Sequence, residues 1–259
     1  MRNGTVPCPG CPAAISNPNP LEVTLKDGQQ KAILLHFDTM NNPSESKHGL
    51  DMQIWSYDDG KTWIEESVLD FGTTENTGAL IGPSVGIQAA DGTIYFSMVF
   101  GGSHWLYFSK DYGITYTTSK PVPNMGECSI AFLVDSNDGR IIMSCRTAQE
   151  QRAQLIWSKD GVPGPITYPG IIDPRCQGSI VNDGNGTLYL SNANSTSSRT
   201  HMTVRKSVDQ GKTWDEGVLV YSGASAYSQL VSFPLEMKKL GLIFETTNST
   251  IVFTSIDIK

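Results

Sequence analysis

The side chains able to do chemistry in this sequence are few and scattered, and their types limit which reactions to consider. Cys8 and Cys11 form a Cys-Pro-Gly-Cys pair. That is the spacing of half a zinc site, but no second pair completes four ligands, and a redox Cys-x-x-Cys needs a βαβ setting that is absent. The pair reads as a surface turn with two thiols, and five cysteines in all do not assign a redox compartment. His36, His104 and His201 lie in or beside strand-like runs without ligand spacing and read as packing or surface residues, while His48 sits in the polar stretch 38–50 and stays open. No metal and no cofactor is expected. Taken singly, Tyr227 is an amphipathic residue near a strand start, Glu127 a solvated turn carboxylate and Arg146 a charge after an apolar run. Only their place in a larger pattern can give them a role.

That pattern is a repeat. Residues 56–63 read SYDDGKTW, 109–116 SKDYGITY and 207–214 SVDQGKTW, in the frame S-x-D-x-G-x-T-[WY]. A degenerate copy, SKDG, starts at Ser158. Successive copies begin 53, 49 and 49 residues apart. Each follows an apolar-rich run (MQIWS, WLYFS, MTVRKS), and further runs follow D-G or N-G turns at 91–92, 138–139 and 185–186. In each box the Asp can accept backbone N–H bonds, the Gly can take positive φ, and the aromatic can anchor the next strand. Units of about 50 residues with four short strands each predict propeller blades. Five are expected, over roughly 14–68, 79–120, 126–170, 174–221 and 222–257, in one domain spanning 1–259 with an irregular segment over 1–13.

Composition supports this fold class and excludes others. With 25 Gly and 14 Pro the chain suits short strands and tight turns, and 17% charged residues exclude a disordered or coiled-coil chain. A net charge of −7 argues against non-specific nucleic-acid binding, which needs a basic field. No apolar run is long enough for a membrane helix, and residues 1–15 lack the apolar core of a signal peptide. Sequons at Asn3, Asn185, Asn194 and Asn248 permit glycosylation without fixing a location, which stays unassigned.

The octapeptide is an Asp-box, and with the segments between the boxes the chain resembles the sialidase (neuraminidase) superfamily. GPSVGIQAADGTIYF (82–96), GECSIAFLVDSNDGRIIMSCR (126–146), RCQGSIV (175–181), SSRTHMTVRKSVDQGKTW (197–214), SGASAYSQL (222–230) and LGLIFETTNSTIVF (240–253) match family segments in order. The resemblance runs from about residue 15 to the C-terminus. It implies an all-β, sialidase-type propeller of a six-bladed family. It places Tyr227 on the nucleophile and Glu127 on the carboxylate that takes its proton. It also places Arg146 and Arg199 on two of three arginines holding the substrate carboxylate, and Glu245 on the carboxylate that orients the remaining arginine. Arg152, Arg175 and Arg205 have no such match and read as structural or surface residues. The residue types suit the chemistry. Sialic acid carries a carboxylate on its anomeric carbon, which a planar guanidinium grips with two parallel bonds. Beside that fixed negative charge a phenol is a better nucleophile than a carboxylate, and it needs an adjacent base.

The family's opening Arg-Ile-Pro strand and the acid/base aspartate after it find no match, so about five blades are expected here, without the first. A piece of a longer enzyme and a short protein that closes five blades both remain open. Asp51, Glu45 and His48 are weak candidates for a replacement acid. An open ring would expose strand edges and invite self-association. The leading expectation is an exo-α-sialidase acting on sialylated glycans, glycoproteins or glycolipids. Alternatives are a non-catalytic sialic-acid-binding propeller, a truncated inactive sialidase, or a generic Asp-box scaffold.

Overall fold

The computed structural model describes residues 14–42, 47–69, 71, 80–133, 139–247 and 250–258. Cys8, Cys11, Glu45, the Asn3 and Asn248 sequons and the side chain of His48 lie outside the described residues. The chain forms two compact units, Met1–Pro121 and Val122–Lys259. No helix among the described residues is long and apolar enough to cross a membrane.

The first unit holds two antiparallel sheets. Strands β1 (Ala14–Thr24), β2 (Lys31–Asn42), β3 (Lys47–Ser56) and β4 (Ile64–Val68) form a meander in sequence order. In the second sheet β7 (Ile94–Phe100) pairs with β5 (Leu80–Ile81), β6 (Ile87–Gln88) and β8 (Ser103–Ser109), and β8 pairs with β9 (Thr117–Thr118). Val23, Leu34 and Trp55 of the first sheet pack with Ile94, Phe96 and Tyr107 of the second.

The second unit begins with the two-residue β10 (Val122–Pro123), followed by a meander of β11 (Cys128–Phe132), β12 (Ile141–Cys145) and β13 (Ala153–Trp157). A six-stranded sheet completes it: β14 (Ser179–Asn182), β15 (Leu188–Ala193), β16 (Thr200–Ser207), β17 (Val218–Ser232), β18 (Lys239–Thr246) and β19 (Ile251–Asp257). Ala131 and Ile142 pack on Ile180 and Leu188, joining the two sheets.

There are thus four sheets among the described residues, not five. The expected fifth unit continues from the fourth because β17 is one 15-residue strand. Its first half pairs with β16, up to Thr200↔Ala224, and its second half pairs with β18 from Ser225↔Thr246 onward. The junction, Ser222-Gly223-Ala224-Ser225, consists of small residues without a turn pair, so the chain stays extended.

The Asp-box copies at Ser56, Ser109, Ser158 and Ser207 follow β3, β8, β13 and β16, one copy to each sheet, which explains the regular spacing. The three full copies share one bonding pattern. In the last, Ser207 Oγ donates to Asp209 Oδ1 at 2.8 Å and accepts from Gly211 N at 2.9 Å. Thr213 N donates to Asp209 Oδ1 and its hydroxyl to Oδ2, at 2.9 and 2.6 Å. The same four bonds join Ser56, Asp58, Gly60 and Thr62, and Ser109, Asp111, Gly113 and Thr115. The bonds from Thr213 to Asp209 favour its ionised form and hold its carboxyl down at about 2. The degenerate copy has lost this: only the Ser158 hydroxyl, accepting from Val162 N at 3.2 Å, remains of it.

Gly211 has φ +82°, and a Cβ there would lie 2.4 Å from Ile142 Cδ1. Gly211→Ala therefore combines a left-handed backbone with overpacking. It is expected to destabilise the second unit by about 1–3 kcal/mol, measured by chemical denaturation, and an unchanged midpoint would refute this account of the turn.

Candidate active site

Five residues singled out in the sequence, Glu127, Arg146, Arg199, Tyr227 and Glu245, all belong to the second unit. Tyr227 lies where the β17–β18 ladder breaks. Ser225 pairs with Thr246 and Ser228 with Phe244, so Ala226 and Tyr227 together oppose the single residue Glu245. Such a bulge turns a side chain out of the strand's regular alternation. The freed Tyr227 N–H donates to Glu245 Oε2 at 3.2 Å.

Glu127 and Arg146 come from the adjoining ends of β11 and β12. Glu127 precedes Cys128, Arg146 follows Cys145, and those two cysteines are ladder partners joined by a disulfide. Arg146 N donates to the Glu127 carbonyl at 2.9 Å across the same end. Glu127, only 9% exposed, is shared: Oε1 accepts the Tyr227 hydroxyl, and Oε2 accepts Arg146 Nη1 at 2.8 Å. Arg199, exposed and just before β16, places its guanidinium 5.6 Å over the Tyr227 ring. Its Nη2 is 3.5 Å from the Arg175 carbonyl, and its own carbonyl accepts Ser225 N at 2.8 Å.

The structure therefore brings Tyr227, Glu127, Arg146 and Arg199 together, and sets Glu245 behind the Tyr227 backbone. Burial, then the bond to Glu127 and its charge, raise the Tyr227 pKa above the ordinary phenol value, against the opposing Arg146 charge. At rest the proton stays on the phenol, and the carboxylate is already placed to receive it. The half-exposed guanidiniums beside the phenol suit an anionic ligand, bidentately if it is planar. Among the described residues no group of three or more metal-ligating side chains is assembled.

Several sequence expectations look different in three dimensions. Asp51, proposed as a replacement acid, is buried inside the first sheet opposite Asp38, at 4% exposure, and does not face solvent. His36 is buried with ring contacts to the Tyr107 and Tyr116 hydroxyls, and burial pulls its pKa to about 3. His104 is buried and His201 exposed, as packing and surface residues. Arg175 is exposed, but Arg152 is fully buried and Arg205 nearly so.

The disulfide was missed because cysteine count alone says nothing of pairing. The signal was available in outline: Cys128 and Cys145 lie on either side of the Asp-Gly pair at 138–139, each at the far end of an apolar run. The bond closes a loop with a sequence separation of 17. Cys128→Ala with Cys145→Ala is expected to cost about 3 kcal/mol through the looser unfolded chain. Urea denaturation with and without reductant measures it, and a change under 1 kcal/mol would sink the assignment.

Comparison with known proteins places these observations. Residues 13–234 match the family model described as BNR repeat-like domain. A sialidase of Bacteroides fragilis (strain YCH46) is 24% identical over 228 residues, 79% of this chain and 41% of that protein. A sialidase of Micromonospora viridifaciens is 30% identical over 141 residues, 49% of this chain and 21% of that protein. The chain thus spans less than half the length of these curated relatives. Among solved structures, the Hadza microbial sialidase Hz136 aligns with a TM-score of 0.79 at 23% identity, over 95% of this chain and 53% of that one. The intramolecular trans-sialidase from Ruminococcus gnavus, in complex with oseltamivir carboxylate, aligns with a TM-score of 0.78 at 15% identity, over 96% and 79%. At these identities the likeness speaks for fold, and the fold is the sialidase-type β-propeller. With the repeated boxes, one to each sheet, and a family match over most of its length, the chain belongs to the BNR repeat-like domain family of the sialidase superfamily.

Proposed function

We propose that this chain carries a sialidase site, one that removes terminal sialic acid from glycoproteins, glycolipids or free glycans through Tyr227. The observation carrying this reading is the shared carboxylate: Glu127 accepts the Tyr227 hydroxyl on one oxygen and Arg146 on the other. The names of the relatives support it.

The substrate carboxylate would lie against Arg146 and Arg199, which orients the anomeric carbon towards the Tyr227 oxygen. As that oxygen attacks, its proton passes to Glu127, the bond from anomeric carbon to leaving oxygen breaks, and a tyrosyl-glycoside forms. Arg146 offsets the charge that develops on the phenol oxygen. Water, losing its proton to solvent, then attacks the same carbon from the vacated face, the bond from anomeric carbon to the Tyr227 oxygen breaks, Glu127 returns the proton to the departing phenolate, and two inversions give net retention. An aryl leaving group departs as an aryloxide and needs no general acid, so it isolates what these residues do.

The test is turnover of an aryl α-sialoside. Release of the aryl alcohol by the wild-type protein, with product of retained configuration by NMR, is expected. Binding of sialic acid without any turnover would replace this reading with a sialic-acid-binding propeller. No binding and no turnover would leave only a scaffold.

A further inference from the structure

Behind the site lies a buried charge that no step above uses. Arg152 is fully buried, and so is its ion-pair partner Asp173, with Nη1 2.8 Å from Oδ2. Each nitrogen of the Arg152 guanidinium has a partner. Nε donates to Ser144 Oγ at 3.0 Å, Nη2 to the Ser144 carbonyl at 3.2 Å, and Nη1 also to the Cys176 carbonyl at 3.0 Å. Asp173 is tied in turn: Oδ1 accepts Cys176 N at 2.8 Å, and Oδ2 accepts Asn192 Nδ2 at 3.3 Å. The guanidinium therefore bridges two backbone segments, the end of β12 and the turn 173–177.

Both segments lead directly to the site. Ser144 stands two residues before Arg146. The turn presents the Arg175 carbonyl towards Arg199, from a backbone at φ +60°. It also presents Gln177 Oε1, which accepts Ser228 N, the residue after Tyr227, at 2.9 Å. There is no slack in this arrangement, since a Cβ on Gly178 would lie 2.9 Å from Arg152 Nη1 and 2.7 Å from the Ser191 carbonyl.

A buried ion pair is not needed for stability alone, because well-packed apolar residues often replace one at no cost. Its use here is geometric. A guanidinium is a planar, multiply donating plate that can hold two carbonyls and a carboxylate at fixed separations, which an ammonium cannot. We propose that Arg152 and Asp173 are positioning residues of the sialidase site, setting the distance between the Arg146 strand end and the turn that seats Tyr227 and Arg199. The proposal rests on the reading under "Proposed function".

Arg152→Met alone would leave Asp173 buried and unpaired, and it tests folding more than function. The informative variant is Arg152→Met with Asp173→Asn, which removes both charges while an amide oxygen still accepts Cys176 N. Beside it, Leu188→Ala, in the core between the two sheets of the unit, supplies comparable destabilisation without touching the bridge. Assays run well below the melting temperature of every variant. For the double variant, kcat/KM on the aryl sialoside is expected to fall at least 30-fold, with both kcat and KM affected, while Leu188→Ala stays within threefold of wild type. Arg152→Lys is expected to recover thermal stability but not kcat/KM, since it keeps the charge without spanning Ser144 and Cys176. A double variant within threefold of wild type, or full rescue of kcat/KM by lysine, would overturn the proposal. If the wild-type protein has no turnover, the sialidase reading fails by itself, and amide exchange decides the positioning claim. Protection of Ser228 N–H should drop at least tenfold in the double variant relative to Leu188→Ala, and equal protection would overturn it.

Discussion

Tyr227→Phe is expected to abolish measurable turnover of an aryl sialoside while leaving the fold and sialic acid binding in place. The ring stays, so packing under Arg199 is kept, and only the oxygen bonded to Glu127 is lost. Glu127→Gln should lower the rate by about 10²–10⁴-fold, the usual contribution of a positioned proton acceptor. It also deprives Arg146 of its anionic partner at 2.8 Å. The two substitutions act on one proton transfer, so the double variant should be no slower than Tyr227→Phe alone. Single-turnover measurements on the three variants check this. Additive losses would mean that tyrosine and glutamate work in separate steps, and substantial activity in Tyr227→Phe would remove the phenol from the mechanism.

Asp38→Asn should change how stability depends on pH. Asp38 and Asp51 are ladder partners, at 1% and 4% exposure. Asp38 accepts Asn17 Nδ2 at 2.7 Å and Ile81 N at 3.1 Å. Burial first, and the charge of Asp51 second, raise its pKa from 3.8 to about 8, against those two bonds. Neither His36, held neutral by its pKa of about 3, nor Tyr107, whose pKa lies well above 10.0, titrates in between. Below about pH 4 both folded and unfolded chains hold the proton, and the preference for the folded state is complete. From pH 4 to 8 the unfolded chain has released it and the folded chain has not. Stability therefore falls as pH rises, by at most about 1.4 kcal/mol per unit, and levels off above pH 8. An asparagine copies the protonated acid and cannot ionise. Asp38→Asn is thus expected to be near neutral below about pH 4 and increasingly stabilising towards pH 8, by several degrees in melting temperature. Parallel pH profiles for wild type and variant would count against a raised pKa at Asp38.

Reading the sequence located the blades because the Asp-box is a local structure. Ser207, Asp209, Gly211 and Thr213 bond to one another within seven residues, so their identities and spacing carry the whole turn. The same locality made the degenerate copy at Ser158 legible by its missing Thr and Trp. The division at residue 222 was less legible. A strand can serve two neighbours in succession, and no residue type marks where β17 passes from β16 to β18.

The individual site residues were legible only through resemblance, since a lone tyrosine or glutamate has bland explanations. What the sequence by itself determined was the fold class, the blade period, and the order in which site-bearing segments arrive. What the tertiary structure decided was every contact that brings those segments together as a candidate site. Tyr227 and Glu127 meet across 100 residues because a bulge opposite Glu245 turns the phenol out, and because paired strand ends hold Glu127 beside Arg146. The Cys128–Cys145 bond and the Arg152–Asp173 bridge belong to the same class. Such contacts depend on register and burial, which arise from the packing of whole sheets, whereas a turn depends only on the dihedral angles and hydrogen bonds of adjacent residues.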